Sequence, residues 1–282
     1  SRVSVRKSRG SCVAQRATYR YTSDMSNGQR SLEVFRVRTT TVIRLNRPEH
    51  RNAIDQSMAT ELLDAARTIA DDESNRALVI AGAGKAFSAG GDVDYFRRCI
   101  TDPEIDVKEE IGRQAEVLHS AIVALHNLPV PVIAAIDGPA VGGGFSLALA
   151  ADYRIASPHA FMQCGFSRIA ATPDAGMSWF LARLVGAPRS FSMLLEDARI
   201  TAQEAHRAGL VDLISDEESS AYDAALEVAD RWAQHSPHYL RTVKSLAQSS
   251  LSLLLVDQLR HEARGIVAAM DTPELHQRLG IG

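Results

Sequence analysis

Cysteine is scarce in this 282-residue chain: Cys12, Cys99 and Cys164 are three in number, and none stands in a CxxC spacing. A disulfide framework and a cysteine-built zinc site are therefore excluded, and the usage fits a reducing compartment. Long apolar runs are also lacking. Beyond Asp137 the longest stretch without a charged residue, Gly138 to Ala151, has fourteen residues, four of them glycine. That is short of the roughly 20 apolar residues of a membrane helix, so no membrane partner is expected.

What is present is the composition of an ordinary globular chain, 45% hydrophobic and 23% charged, long enough for one large domain plus an appendage. The formal net charge of -3 averages two unlike parts. Residues 1–30 carry seven Lys or Arg against Asp24 alone, a charge of +6, whereas the other 252 residues carry 24 basic and 33 acidic side chains, a charge of -9. A body of that sign is a poor polyanion binder, so no nucleic acid partner is expected. The tail reads first as an extension or disordered segment, with Met25 as an alternative start. A transit peptide over residues 1–24 and a nucleic-acid arm are the other readings. The expected setting is the cytoplasm, or the mitochondrial matrix if residues 1–24 are a transit peptide.

From Leu32 the pattern becomes regular. LEVFRVR and TTVIRL read as two alternating strands, and an amphipathic helix follows, with Asp55 as N-cap and Met58, Leu62, Ala65 and Ile69 along one face. ALVIAG, PVIAAIDG and DYRIAS read as buried strands alternating with helical or loop segments, which predicts an α/β core over residues 31–217. Thr201 and Glu204 form a capping box for a helix closed by Gly209. Residues 218–282 read as helical throughout, over about 221–234, 237–248 and 251–270. The apolar run SLLLVDQL predicts packing onto the body or onto another subunit.

Two glycine clusters follow predicted strands, KAFSAGGDV (Lys85 to Val93) and the GPAVGGGFS stretch from Gly138. Glycine lets backbone amides approach a ligand closely, and the second cluster runs into a helix whose N-terminus favours negative charge. Neither cluster matches the P-loop pattern or GxGxxG, which points away from nucleotide hydrolysis and hydride transfer. Each alone is as readily a tight turn; together they suggest an oxyanion hole.

NRPEHRNAID, KAFSAGGDV, PVPVIAAIDGPAVGGGFSLALAADYRIAS and TPDAGMSWFLARLVG occur in the order and spacing of the crotonase superfamily. From about Leu32 to about Met270 the chain resembles enoyl-CoA hydratase/isomerase family members. The resemblance implies a crotonase fold of repeated ββα units and a C-terminal helical region used for assembly as a homotrimer or dimer of trimers. It further implies a coenzyme A thioester as substrate, with no other cofactor and no metal. It places the two oxyanion amides on Gly91 and Gly143, and the coenzyme A site along Arg51 to Ala53, Ser88 and Ala89. Fixed amides of this kind stabilise the enolate formed when a proton leaves the carbon beside the thioester carbonyl. The closing segment ELHQRLGIG departs from the family's usual end, with Arg278 in place of its basic residue.

The departures bear on the reaction. Family hydratases carry glutamates where this chain has Ser146 and Phe166, and neither replacement can act as a general base, so two-carboxylate hydration is not expected. Asp174 of TPDAG matches the carboxylate of a branch that shifts double bonds, the PaaG-like and Δ3,Δ2-enoyl-CoA isomerases. Burial beside Phe166 is expected to make Asp174 a stronger base. The plainer reading makes it the N-cap of the helix GMSWFLARLVG.

In related 4-chlorobenzoyl-CoA dehalogenases the same register puts a catalytic histidine at His119 and a nucleophilic aspartate at Asp174. Those enzymes have tryptophan at Phe166, and a lone histidine on a largely apolar helix face is more often packed or hydrogen-bonded, which is the favoured reading of His119. Trp179 and Phe180 read first as core and second as acyl-pocket lining. His235 and His238 straddle Ser236-Pro237 and show no ligand spacing. The expected activity is double-bond isomerisation, with hydration or a silent acyl-CoA binder as alternatives.

Overall fold

A computed structural model describes residues 30–281; the basic tail read for residues 1–30 lies, but for Arg30, outside the described residues. The chain opens with β1 (Leu32–Val37) and β2 (Thr40–Leu45), then a 3-10 turn at Pro48–His50, α1 (Gln56–Asp71) and β3 (Ala77–Gly82). Next come α2 (Val93–Thr101), α3 (Val107–His126), β4 (Val132–Ile136), β5 (Pro139–Val141), α4 (Gly143–Leu149), β6 (Tyr153–Ala156) and β7 (Phe161–Gln163). After a 3-10 turn at Ser167–Ile169 follow α5 (Met177–Val185), α6 (Ala187–Glu196), β8 (Ile200–Thr201), α7 (Ala202–Arg207) and β9 (Leu213–Ile214). The C-terminal part is α8 (Ala221–Trp232), α9 (Pro237–Ser249), α10 (Leu255–Ala269) and α11 (Pro273–Arg278).

The α/β expectation holds. The main sheet has the order β1-β2-β3-β4-β6-β9, antiparallel only between β1 and β2. Its central strands are apolar throughout because both faces are covered. Ile43, Ile80 and Ala134 lie in register in the core shared with α1, α3 and α4, whereas their neighbours Val42, Val79 and Ile133 lie in a second core against Ala221, Ala225, Val228 and Ala229 of α8. The valine and isoleucine side chains buried this deeply contribute about 1.5–3 kcal/mol each. A small second sheet, β5-β7-β8, carries the turns of the candidate site.

Local signals account for the boundaries. Asp55 accepts the Met58 amide at 2.9 Å and starts α1, and Thr201 and Glu204 complete the capping box of α7. Lys244 of α9 is buried between the Asp152 carboxylate at 2.7 Å and the Val130 carbonyl at 3.0 Å. Burial pushes its pKa down, against the pull of Asp152.

One boundary differs from expectation. Helix α10 begins at Leu255 rather than Leu251, because the Ser250 and Ser252 hydroxyls bond the Ala247 and Ser249 carbonyls and Leu254 is extended. That helix buries none of its own residues. Leu254, Leu255, Val256, Leu259, Ile266 and Val267 are each more than half exposed. No helix among the described residues is long and apolar enough to cross a membrane.

Candidate active site

Two glycine turns meet beside β5: Gly90–Gly91, just after the bridge from Ser88 to Ala140, and Gly142–Gly144 at the strand's end. Gly142 has φ 54°, a conformation that favours glycine, and starts α4 at Gly143. A Cβ added to Gly143 would sit 3.8 Å from the Gly91 nitrogen; one on Gly90 would lie 3.0 Å from the Gly143 nitrogen and 2.6 Å from the Val141 oxygen. Gly144 tolerates no side chain, since its Cβ would fall 2.5 Å from that of Ser88. Among the described residues neither the Gly91 nor the Gly143 N–H reaches a backbone acceptor, which leaves two adjacent donors for a ligand.

Residues upstream hold these turns. Asn52, fully buried with φ 55°, accepts the Arg47 amide and donates to the Ala83 and Ala86 carbonyls at 2.9 and 2.8 Å. Arg47 donates to the Ala53 carbonyl at 2.6 Å and to the Asp92 carboxylate at 2.9 Å, beside Gly91. Burial alone would raise the Asp92 carboxyl, but the Tyr95 amide and the Arg47 guanidinium outweigh it, so the group sits below the ordinary carboxylate range.

Of the residues expected along the coenzyme A site, Arg51 is exposed, Ala53 buried and Ala89 half-buried, and the Ala89 amide bonds the Arg51 carbonyl at 2.9 Å. Ser88 is fully buried, with its hydroxyl on the Asn52 carbonyl and its amide on Pro139. Sequence reasoning missed Arg47 and the bracing role of Asn52, a residue it placed only along the coenzyme A site. Their signal was a polar pair bracketing Pro48 in a stretch without apolar periodicity.

Asp174 lies at the start of a tight turn in which Ala175 and Gly176 have φ 53° and 82° and the Met177 amide returns to the Asp174 carbonyl at 3.1 Å. Two residues in the left-handed region mark a type I′ geometry, strained at the alanine. The turn corrects the N-cap reading. Gly176, not Asp174, precedes α5, and no side chain caps that helix.

The Asp174 carboxylate instead meets His119 of α3, Oδ1 to Nε2 at 2.5 Å. The expected burial beside Phe166 is also corrected, since the Asp174 side chain is 43% exposed and that of His119 49%. Two oxygens on a carboxylate leave the second free to act. Ser146, one turn into α4 from Gly143, donates its hydroxyl to the Asp174 carbonyl at 2.9 Å. Its hydroxyl therefore ties the carboxylate-bearing turn to the helix that begins at the glycine amide.

Phe166 is half-buried against the core, in the loop that leads from β7 to Asp174. Phe180 is buried as core, whereas Trp179 is 45% exposed, with Arg183 over its ring at 3.5 Å and His126 at its edge. Among the described residues no group of His, Cys, Asp and Glu is placed to hold a metal ion. His238 turns to the Gly265 carbonyl.

Residues 37–278 match the family described as Enoyl-CoA hydratase/isomerase. The chain is 29% identical to 4-chlorobenzoyl coenzyme A dehalogenase-2 of an Arthrobacter species, over 91% of each chain. It is 32% identical to 1,2-epoxyphenylacetyl-CoA isomerase of Escherichia coli K12, over 76% of this chain and 80% of that one. Among solved structures it resembles an enoyl-CoA hydratase from Bacillus anthracis with a TM-score of 0.82 and 28% identity, over 89% of this chain and 95% of that one.

Proposed function

We propose that this chain, which belongs to the enoyl-CoA hydratase/isomerase family and has its crotonase fold, is an acyl-CoA isomerase that moves a carbon–carbon double bond. The observation that carries the reading is Asp174, a carboxylate with one oxygen on His119 and its main chain tied by Ser146 to the helix of Gly143.

In the proposed reaction the Gly91 and Gly143 N–H groups donate to the thioester carbonyl oxygen. Asp174 removes a proton from the carbon on one side of the double bond, and the electron pair moves into the enolate. The same carboxylic acid returns the proton at the far carbon, so substrate and product have the same formula and no water is consumed. Each oxyanion donor is worth about 3–4 kcal/mol in such a step. The reading needs no cofactor beyond the coenzyme A of the substrate, and Arg51, Ala53 and Ala89 are its proposed lining. It also takes the exposed face of α10 as buried in a homotrimer or dimer of trimers.

The test is turnover of 3-hexenoyl-CoA, followed by the gain of conjugated-thioester absorbance. A comparable loss of absorbance from 2-hexenoyl-CoA would favour hydration instead, and binding of either without turnover would favour a silent binder.

A second reading is favoured by the 2.5 Å His119–Asp174 contact together with the similarity to the Arthrobacter dehalogenase. In it Asp174 attacks an aryl carbon bearing a leaving group, and His119 activates the water that cleaves the resulting ester. Release of chloride from 4-chlorobenzoyl-CoA, absent in the Asp174→Asn variant, distinguishes it.

A further inference from the structure

Asp197 follows the last residue of α6 and lies outside every motif of the site. Its backbone is left-handed, with φ 47° and ψ 36°, and its amide closes α6 on the Met193 carbonyl. A residue with a side chain occupies that region at a cost which glycine avoids. The Asp197 side chain is nonetheless 4% exposed, and it is fully engaged. Oδ1 accepts the Gly165 amide at 2.6 Å, Oδ2 accepts the Ser167 hydroxyl at 2.6 Å, and the main-chain carbonyl accepts the Gln163 side-chain amide at 2.8 Å. Arg168 Nε stands 4.0 Å away, at the edge of the solvent.

All three bonds reach the stretch 163–167, which holds Phe166. That stretch also rests on the oxyanion turn. The Gly142 amide donates to the Gln163 carbonyl at 3.1 Å, and a Cβ added to Gly165 would lie 3.3 Å from the Gly142 nitrogen.

We infer that Asp197 is a positioning residue for the acyl site: from outside the site, it fixes the Gly165–Ser167 loop and with it the placement of Phe166 beside the oxyanion turn. The inference rests on the reading of Gly91, Gly143 and Asp174 as an acyl-CoA site. A buried carboxylate that accepts two hydrogen bonds from one short loop is a brace with little freedom, and its backbone conformation separates the brace from the helix end. Asp197→Gly suits the backbone and deletes the side-chain bonds. Asp197→Asn keeps a residue that tolerates the left-handed region, with an oxygen for the Gly165 amide and an amide to donate to the Ser167 hydroxyl.

The experiment measures three quantities on the full chain: amide hydrogen exchange at Gly165, the Kd for 3-hexenoyl-CoA, and the kcat and KM for its isomerisation. Asp197→Gly is expected to fold with a lowered Tm, to speed exchange at Gly165 at least tenfold, and to raise Kd and KM about fivefold or more. Asp197→Asn is expected to restore most of both. Ser167→Ala, which keeps the backbone, is expected to give a smaller change in the same direction and serves if Asp197→Gly does not fold. Faster exchange with Kd and KM within twofold of the parent would reduce Asp197 to a structural brace and overturn the inference, as would unchanged exchange. A parent protein that binds the thioester without turning it over would sink the isomerase reading alone, since Kd and exchange still decide the role of Asp197.

Discussion

The His119 imidazole and the Asp174 carboxylate, 55 residues apart in sequence, meet at 2.5 Å between Nε2 and Oδ1. Both side chains keep an exposed face, so the contact orients the carboxylate without enclosing it. Replacing Asp174 by Asn keeps the shape and removes the base. Isomerisation of 3-hexenoyl-CoA is expected to fall by about 10²–10⁴-fold, with the thermal midpoint unchanged within error. Full activity in this variant would sink the proposed role.

His119→Gln keeps a hydrogen-bonding side chain and removes the titrating ring. If the histidine only orients Asp174, kcat is expected to drop by roughly tenfold or less, well below the loss from removing the base itself, with KM unchanged. Under the displacement reading the same variant instead accumulates an ester on Asp174 when given 4-chlorobenzoyl-CoA. Intact-protein mass spectrometry separates the two outcomes.

Neighbouring glycines should respond oppositely. A Cβ at Gly143 meets only ordinary contacts, 3.8 Å from the Gly91 nitrogen and 4.0 Å from Ile54. Gly143→Ala is therefore expected to fold normally but to lose about 10²-fold in kcat/KM, because the methyl group enters the space beside the oxyanion donors. At Gly144 the Cβ would fall 2.5 Å from the Ser88 Cβ and 2.6 Å from its carbonyl oxygen. Overpacking of that kind costs about 1–3 kcal/mol, read as a lower urea midpoint. Equal behaviour of the two variants would contradict this division.

Ser146→Ala removes the hydroxyl that donates to the Asp174 carbonyl. A loss of about 1 kcal/mol in stability is expected, together with a fall in kcat as the Asp174 turn loosens. An unchanged kcat would show that the strained Ala175–Gly176 turn holds Asp174 without help.

Cys164 gives a prediction in alkaline solution. Burial, and secondarily the charge of Asp197, push its thiol up to about 11. In the unfolded chain a thiol ionises near ~8.5. Below that value the thiol is protonated in both states and contributes no pH dependence. Between it and about 11 the unfolded chain loses a proton that the native protein keeps, so stability falls as pH rises through this window. Urea unfolding of the parent and of Cys164→Ala across the window should diverge in slope, the variant falling less steeply. Parallel slopes would rule the assignment out.

Much of the fold was legible in the sequence because it rests on local rules. The strands at Leu32, Thr40 and Ala77 follow from apolar pattern, and the start of α1 from Asp55 reaching three residues ahead. The glycine turns were legible for a related reason, since the absence of a side chain at Gly142 and Gly144 is a demand that only the sequence can meet.

The tertiary structure decided how side chains distant in sequence pair. The local alternative for Asp174, a helix cap, followed from aspartate before Ala-Gly; the left-handed turn at Ala175 and Gly176 carried it off the helix axis and toward His119. Arg47, Asp197 and the bracing role of Asn52 escaped notice because a lone polar residue has no period, and its partners lie about 30 to 45 residues away. Propensity and periodicity act over a few residues and are written in the sequence. A hydrogen bond between distant loops depends on angles accumulated along the whole intervening chain, and only the folded molecule sums them.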